Sequence, residues 1–405
     1  NTRLQQTITQ IIANQSTNGS FGLWRPQSEN PWLDAYATDF LVRAQKAGAT
    51  VPKRVLNQAL SRLKNTVNNA SDFDKGGEEV AYALMVLASV GKASIGELRY
   101  YSDAKGDAFA TALAQAQLGV ALAAYGEIDR SKAMFARAFR KLDLGKHTSF
   151  ADDFGSYRRD KAAVLALAVQ AGNLSETTAI KRADFIRLAS NGSTQEQAWA
   201  LRLAASVQNT KQGKALLNAE HRFSSYDVAQ GRAVIENPHN TTLNMILTAM
   251  GKPVGDIKKH TSGYKIRRSF YTVTGDRVDM SDISQNDKIV VVIKVTPETD
   301  RFARLMVNDP LPAGFEIDNP RLLQSGSTAS LPWLDNLIGA THSEFHKDRF
   351  LAAVDWSGNR SFKLAYVLRA ISAGKFHQPA AHITDMYRAD LGGNTASGTV
   401  TVLDQ

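Results

Sequence analysis

Through residue 214, apolar residues recur three and four positions apart: Trp32, Tyr36, Phe40 and Ala44; Val80, Leu84 and Leu87; Phe109, Leu113 and Ala116; Ala162, Leu165 and Val169; Trp199 and Leu203. That spacing marks one face of an α-helix. Four of these segments end on a glycine, at Gly48, Gly91, Gly126 and Gly172. A glycine just past a helix is the expected left-handed cap, because it alone reaches that conformation without a Cβ clash. The four glycines are 43, 35 and 46 residues apart, which leaves room for two helices per unit. The spacing predicts the second helices at Lys53–Val67, Ser94–Tyr101, Asp129–Leu142 and Glu176–Leu188. In each pair the Ala-rich helix can be buried on most of its faces and the charged helix can cover it. Helical hairpins repeated in this way build a solenoid or a closed α/α toroid. The uneven spacing favours the toroid.

After residue 214 the texture changes. "FSSYDVAQGRAVIEN" and "TTLNMILTA" alternate or are rich in β-formers, and Asn-Pro and Gly-Lys-Pro punctuate them. This predicts a small β segment over 215–255. From Tyr264 the chain reads as strands: "YKIRRSFYTV", "KIVVVIKVT", "ARLMVND", "SFKLAYVLRA" and "GTVTVL". "DPLPAGFEIDNP" contains three prolines and so belongs in a rigid loop or at a sheet edge, since proline lacks the ladder N–H. Residues 256–405 are expected to form one β-sandwich. The fold class is therefore multidomain α + β, with a helical-hairpin toroid over 1–214 followed by all-β segments.

Composition narrows the function classes. The 405 residues are too many for one core. Net charge is +9, but 48 basic and 39 acidic residues are interspersed. No basic run with interleaved aromatics appears, which argues for a solvated surface and against nucleic-acid binding. There is no cysteine, so no disulfide, thiolate metal site or Cys nucleophile lies in this chain. No run of 18 apolar residues is present. The first residue is Asn and no signal peptide precedes it, so we expect a piece of a longer protein.

Two kinds of candidate chemistry are weak. Glu78-Glu79 and Asp152-Asp153 are acid pairs, and an α/α toroid can carry glycosidase or lyase chemistry on two acids across a cleft. Adjacent acids on a helix point apart, and Glu78 and Glu79 stand where a helix begins, a favourable place for negative charge. His342 and His346 have the i, i+4 spacing that suits zinc on a helix. They lack the His-Glu-x-x-His order and a nearby third ligand, so no metal or cofactor is expected. No phosphate-binding Gly-rich loop and no Gly-x-Ser-x-Gly elbow is present.

"NGSFGLWRPQSENPWLDAYATDFLVRA" resembles the Asn/Asp-Gly-Ser-aromatic and Trp-Leu-x-Ala-aromatic stretches of the thioester domains of α2-macroglobulins and complement proteins. "GSTQEQAWALRLAA" resembles a segment near the end of those domains. "VNDPLPAGFEIDNPRL", "AYVLRAISAGKF" and "ITDMYRAD" look like the last domain of bacterial α2-macroglobulins. The matches run from about residue 14 to 390 in the family's order. Thr194-Gln-Glu-Gln197 looks at first like the family's Cys-x-Glu-Gln thioester motif. Threonine supplies no thiolate, so the expected role is a helix cap, by Thr194 with Gln197 or Ser193 with Glu196.

The resemblance implies a thioester-domain toroid without its first helices over 1–214, the returning part of a CUB-like domain over 215–255, and a macroglobulin β-sandwich over 256–405. It implies a protease-trapping inhibitor rather than an enzyme, whose thioester Cys and Gln lie upstream. It also implies that Met386 and Tyr387 shield that thioester, that target proteases are partners, and that a peptidoglycan-synthesising penicillin-binding protein is another. It further implies a periplasmic lipoprotein that meets the membrane only through an upstream anchor. Two alternatives stay open: a carbohydrate-active toroid enzyme with an appended β-sandwich, and a structural or binding homologue without a thioester.

Overall fold

The computed structural model describes residues 2–28, 30–144, 153–173, 192–208, 255–318, 331–334, 337–388 and 390–404. The chain divides into two compact units. One comprises Asn1–Gly213 with Met386–Asp390, and the other Lys214–Asp385 with Leu391–Gln405.

The first unit is helical: α1 (Thr2–Ala13), α2 (Pro31–Lys46), α3 (Lys53–Asn68), α4 (Glu78–Ser89), α5 (Ile95–Asp103), α6 (Ala112–Ala124), α7 (Ile128–Asp143), α8 (Tyr157–Gln170) and α9 (Thr194–Gln208). Helices α2, α4, α6, α8 and α9 pack each on the next. Arg202 on α9 returns to Asp39 on α2 at 3.4 Å, so the first and last of these inner helices also meet. Helices α3, α5 and α7 lie against them from outside. Burial follows this layering. Val80–Ala88 of α4 and Ala112–Gly119 of α6 are buried without a break, and their many alanines let neighbouring helices close in on several sides. The outer α7 buries only Ser131, Met134, Phe135, Ala138 and Leu142, one stripe at helical spacing.

The expected punctuation is present. Gly48, Gly91, Gly126 and Gly172 all have φ between 69° and 88°. A Cβ at any of the four would meet nothing within 4 Å. The requirement there is backbone conformation, not space. The second helices match at α3, α5 and α7 to within two residues at either end. The one expected at Glu176–Leu188 lies outside the described residues, as does the β segment expected over 215–255 apart from Gly255.

The second unit is all β. A six-stranded sheet runs β1 (His260–Ser262), β12 (Gly392–Asn394), β11 (His382–Asp385), β5 (Ala303–Pro310), β8 (Arg349–Trp356), β7 (His342–Phe345). A four-stranded sheet runs β2 (Tyr264–Tyr271), β4 (Lys288–Pro297), β9 (Phe362–Ala370), β6 (Phe315–Asp318). A small third sheet holds β10 (Gly374–Gln378), β13 (Gly398–Leu403) and β3 (Ile283–Ser284). Ile266, Ile293 and Leu364 from the four-stranded sheet share one core with Leu305, Val354 and Ile383 from the six-stranded sheet. A polar staple crosses the same core. Asp309 on β5 pairs with Arg268 on β2 and accepts from the Tyr366 hydroxyl on β9 at 2.7 Å. The proline-rich stretch only partly follows the expectation of a loop or edge: Pro310 is the last residue of β5, which lies between β11 and β8, and the stretch continues into the edge strand β6, Phe315–Asp318, which contains no proline.

Candidate functional site

The site is built on the start of α2. Asn30 caps that helix, its Oδ1 accepting from the N–H groups of Trp32 (2.8 Å) and Leu33 (3.2 Å). Upstream, Gly19 has φ +87° and presses on its neighbour so closely that a Cβ would sit 2.2 Å from the Gln58 carbonyl oxygen. No side chain fits there. The next residues are tied to the helix. Asp34 Oδ1 accepts from Phe21 N at 2.7 Å and Asp34 Oδ2 from Arg62 Nε at 2.9 Å. Burial pushes the Asp34 carboxyl above its ordinary range against the pull of those donors. The "NGSF" and "PWLDAY" stretches are thus one interlocked structure that fixes where Trp32 stands.

Trp32 is 3% exposed and anchors an aromatic cluster. It stacks on Tyr36 at 5.4 Å, meets Tyr82 edge-on at 5.4 Å, and leans on Phe154 at 5.7 Å. Such pairs add to the stabilisation from burial. Tyr82 donates to Asp39 Oδ2 at 3.1 Å. Burial raises the phenol of Tyr36 and lifts that of Tyr82 well above its ordinary value, so both stay neutral.

Phe154 completes the cluster in an unusual way. Its φ is +53°, which among the described residues only Asn286 of the other non-glycines shares in sign. A bulky side chain in that region carries about 1–3 kcal/mol of strain. The flanking residues hold it there. Asp153 Oδ1 accepts from Gly155 N at 2.9 Å, and Arg159 clasps the carbonyl oxygen and carboxylate of Asp153 at 2.6 and 2.7 Å. Arg159 is fully buried, reaches Asp160 at 2.6 Å, and lies 5.9 Å from the Trp32 ring. Burial disfavours its charge, but Asp160 and Asp153 more than restore it.

Tyr387 also belongs to this unit. It is half-buried and packs against the helical core. Its ring centroid is 4.9 Å from that of Phe154. Met386, beside it, is half-buried and is grouped with the same helical unit.

The remaining sequence candidates resolve into structural roles. Ser193 caps α9 in a reciprocal box: its N–H reaches Glu196 Oε2 at 2.9 Å, and its Oγ accepts from Glu196 N at 3.3 Å. Of the two expected pairings the structure uses Ser193–Glu196. Glu78 opens α4 and is buried, its Oε1 accepting from Thr111 N at 2.9 Å at the start of α6. Burial raises its carboxyl, with Asp153 adding to the effect. Glu78, Glu79 and Asp153 line an open cleft of about 660 Å³ with Trp32, Arg62 and Lys75. Asp153 is committed to Arg159, so the two acids are not a free acid/base couple. Asp152 lies outside the described residues. The helical zinc arrangement does not occur. His342 opens strand β7 and His346 follows its end, each bonded to Glu344, at 3.2 and 2.6 Å. Strand geometry puts alternate residues on one face, which the i, i+4 reading did not allow for. No group of three or more His, Asp or Glu among the described residues could hold a metal ion.

Phe154 and Arg159 were not singled out by sequence. Arg159 had a signal, an arginine between acids at 153 and 160. Phe154 had none, because φ above zero is rare for phenylalanine.

Residues 263–390 match the bacterial alpha-2-macroglobulin MG10 domain. The chain is 28% identical to an alpha-2-macroglobulin of Xylella fastidiosa over 99% of this chain and 27% of that protein. It is 28% identical to that of Escherichia coli K12 over 94% of this chain and 25% of that protein. Among solved structures it resembles Salmonella alpha-2-macroglobulin reacted with methylamine, with 25% identity, a TM-score of 0.78, and coverage of 97% of this chain and 27% of that one. It shares its fold with native E. coli alpha-2-macroglobulin spanning MG7 to the C-terminus, at 23% identity and a TM-score of 0.76, over 98% of this chain and 67% of that one. The chain is therefore similar along nearly its whole length to the C-terminal portion of bacterial α2-macroglobulins. It spans about a quarter of their length, 27% of the first relative. No helix among the described residues is long and apolar enough to cross a membrane.

Proposed function

We propose that this chain, similar throughout to the C-terminal part of bacterial α2-macroglobulins, scaffolds and shields the internal thioester of a broad-spectrum protease trap. In this reading residues 1–214 are the thioester domain, 215–255 the returning CUB-like part, and 256–405 the last macroglobulin domain. The thioester Cys cannot belong to this chain, which has none. The intact protein works as an inhibitor and not as an enzyme. A protease cuts a bait segment, the molecule rearranges, and the thioester carbonyl acylates a lysine amine of the attacker. The new amide forms as the carbon–sulfur bond breaks. The amine loses its proton and the sulfur leaves as thiolate, a better leaving group the lower its pKa.

The observation that carries the reading is Tyr387 against Phe154, beside Trp32, Tyr36 and Tyr82. A thioester lasts only where water and stray amines are kept out, and a wall of aromatic rings excludes them. Met386 and Tyr387 are the shielding residues in this reading. The methylamine-reacted Salmonella relative supports searching for such a bond in the intact protein.

Intact protein is expected to take up methylamine and to form SDS-resistant adducts with trypsin. Tyr387→Ala is expected to speed the loss of the bond to water. Intact protein that neither reacts with methylamine nor retains trypsin would sink the proposal. We further propose a periplasmic protein held by an upstream lipid anchor, with target proteases as partners and a peptidoglycan-synthesising penicillin-binding protein as another. Fractionation of cells and co-purification with that enzyme test these points. A protein found free in the cytosol refutes the anchor.

A further inference from the structure

The loop that carries Met386 and Tyr387 joins strands β11 and β12, and its base is unusually tight. Asp385 N donates to the Leu391 carbonyl at 3.0 Å and closes the loop. Asp385 is 2% exposed, and one of its carboxyl oxygens accepts from the Tyr264 hydroxyl at 3.3 Å. Tyr264 starts β2 and is itself buried.

The returning strand β12 is Gly392-Gly393-Asn394. It is paired on both sides, with β11 and with β1. A Cβ at Gly392 would stand 2.7 Å from the Ile383 carbonyl oxygen, and one at Gly393 would stand 2.3 Å from the Tyr264 carbonyl oxygen. Both obstacles are backbone, which cannot swing aside as a flexible side chain would. Leu391, the last residue of the base, packs on the sandwich core. It also lies against Gly263, where a Cβ would approach its Cδ2 to 3.2 Å.

We infer that Tyr264, acting through Asp385, together with the close-packed Gly392-Gly393, is the positioning device of the Met386–Asp390 loop. The physical reason is leverage. The tip of the loop is held by its own packing, Tyr387 against Phe154 and the helical core, while the direction in which the loop leaves its base is set by the two residues there and by whatever holds them. Here one base residue is fixed by a buried phenol and the other by a glycine strand with no clearance. The device serves Tyr387, and its purpose rests on the shielding role proposed above.

The experiment uses intact protein and four forms: unaltered, Tyr264→Phe, Tyr387→Ala and the double substitution. Hydrogen exchange is followed at residues 386–391 and, as a folding control, in β4 and β9. Thiol release without protease is followed in parallel. Tyr264→Phe is expected to raise exchange in the loop by up to about tenfold, the upper end of what one ordinary hydrogen bond contributes, and to leave β4 and β9 unchanged. It is expected to speed thiol release, and the double substitution to be no faster than Tyr387→Ala alone.

Gly393→Ala is a second route to the same loss and is expected to raise loop exchange further. Loop exchange unchanged in both Tyr264→Phe and Gly393→Ala overturns the inference, as does a rise spread equally over β4 and β9. Raised loop exchange with thiol release unaffected by Tyr387→Ala supports the positioning device and overturns the shielding role instead.

Discussion

The ring of Tyr387 lies 4.9 Å from that of Phe154, centroid to centroid, with the planes inclined at 34°. Phe154 offers that ring from a backbone with φ +53°. The strain is tolerated because Asp153, Gly155 and Arg159 determine the turn from both sides.

Phe154→Ala and Tyr387→Ala should therefore couple. Each alone removes buried aromatic surface, and a double-mutant cycle should return an interaction of about 0.5–1.5 kcal/mol. Equilibrium denaturation of the four proteins measures it. A coupling of zero would mean that the rings touch without stabilising one another.

Arg159→Met should be among the most damaging changes to the helical unit. It leaves Asp153 and Asp160 buried without their counter-charge, which costs about 3–5 kcal/mol. Arg159→Lys should recover little, because one ammonium cannot reach two carboxylates and a carbonyl at once. Urea unfolding of the purified protein gives the comparison.

Glu78 should make the helical unit less stable as pH rises. Burial holds its folded pKa above the ordinary value of 4.5. Between the two values the folded state binds more proton than the unfolded one, so stability is highest below 4.5 and falls as pH climbs through the folded pKa. Glu78→Gln keeps an acceptor for Thr111 and carries no charge. It should raise the melting temperature at pH 7 and leave it little changed at pH 4. Calorimetry at the two values decides, and an equal shift at both would refute the burial argument.

Ser193→Ala should cost about 1 kcal/mol, since it removes one half of the reciprocal cap on α9. Thr194→Ala should cost less, because Thr194 is not the residue that caps. The order of the two losses by thermal denaturation checks which hydroxyl does so.

These expectations divide by the range of the interactions behind them. Helices α2 to α9, their glycine ends and a cap at either Ser193 or Thr194 were legible because each rests on residues within four or five positions of one another. The same holds for β2, β4, β5, β9 and β13, whose composition favours strands. Strand β8, "RFLAAVDW", was missed because a short apolar run does not distinguish strand from helix. The i, i+4 spacing of His342 and His346 suits a helix, but pairing with β8 puts His342 on strand β7.

The sequence by itself determined the helical repeat, the switch to strands, and a motif order that resembles one family. The tertiary structure decided where the chemistry gathers. Phe154 at positive φ, Arg159 between two buried acids, Glu78 against Thr111, and Tyr387 within the helical unit all depend on partners that pattern cannot reveal. Phe154 and Tyr387 are more than two hundred positions apart. Local periodicity fixes which face of an element is apolar, but only the packed core fixes which two faces meet.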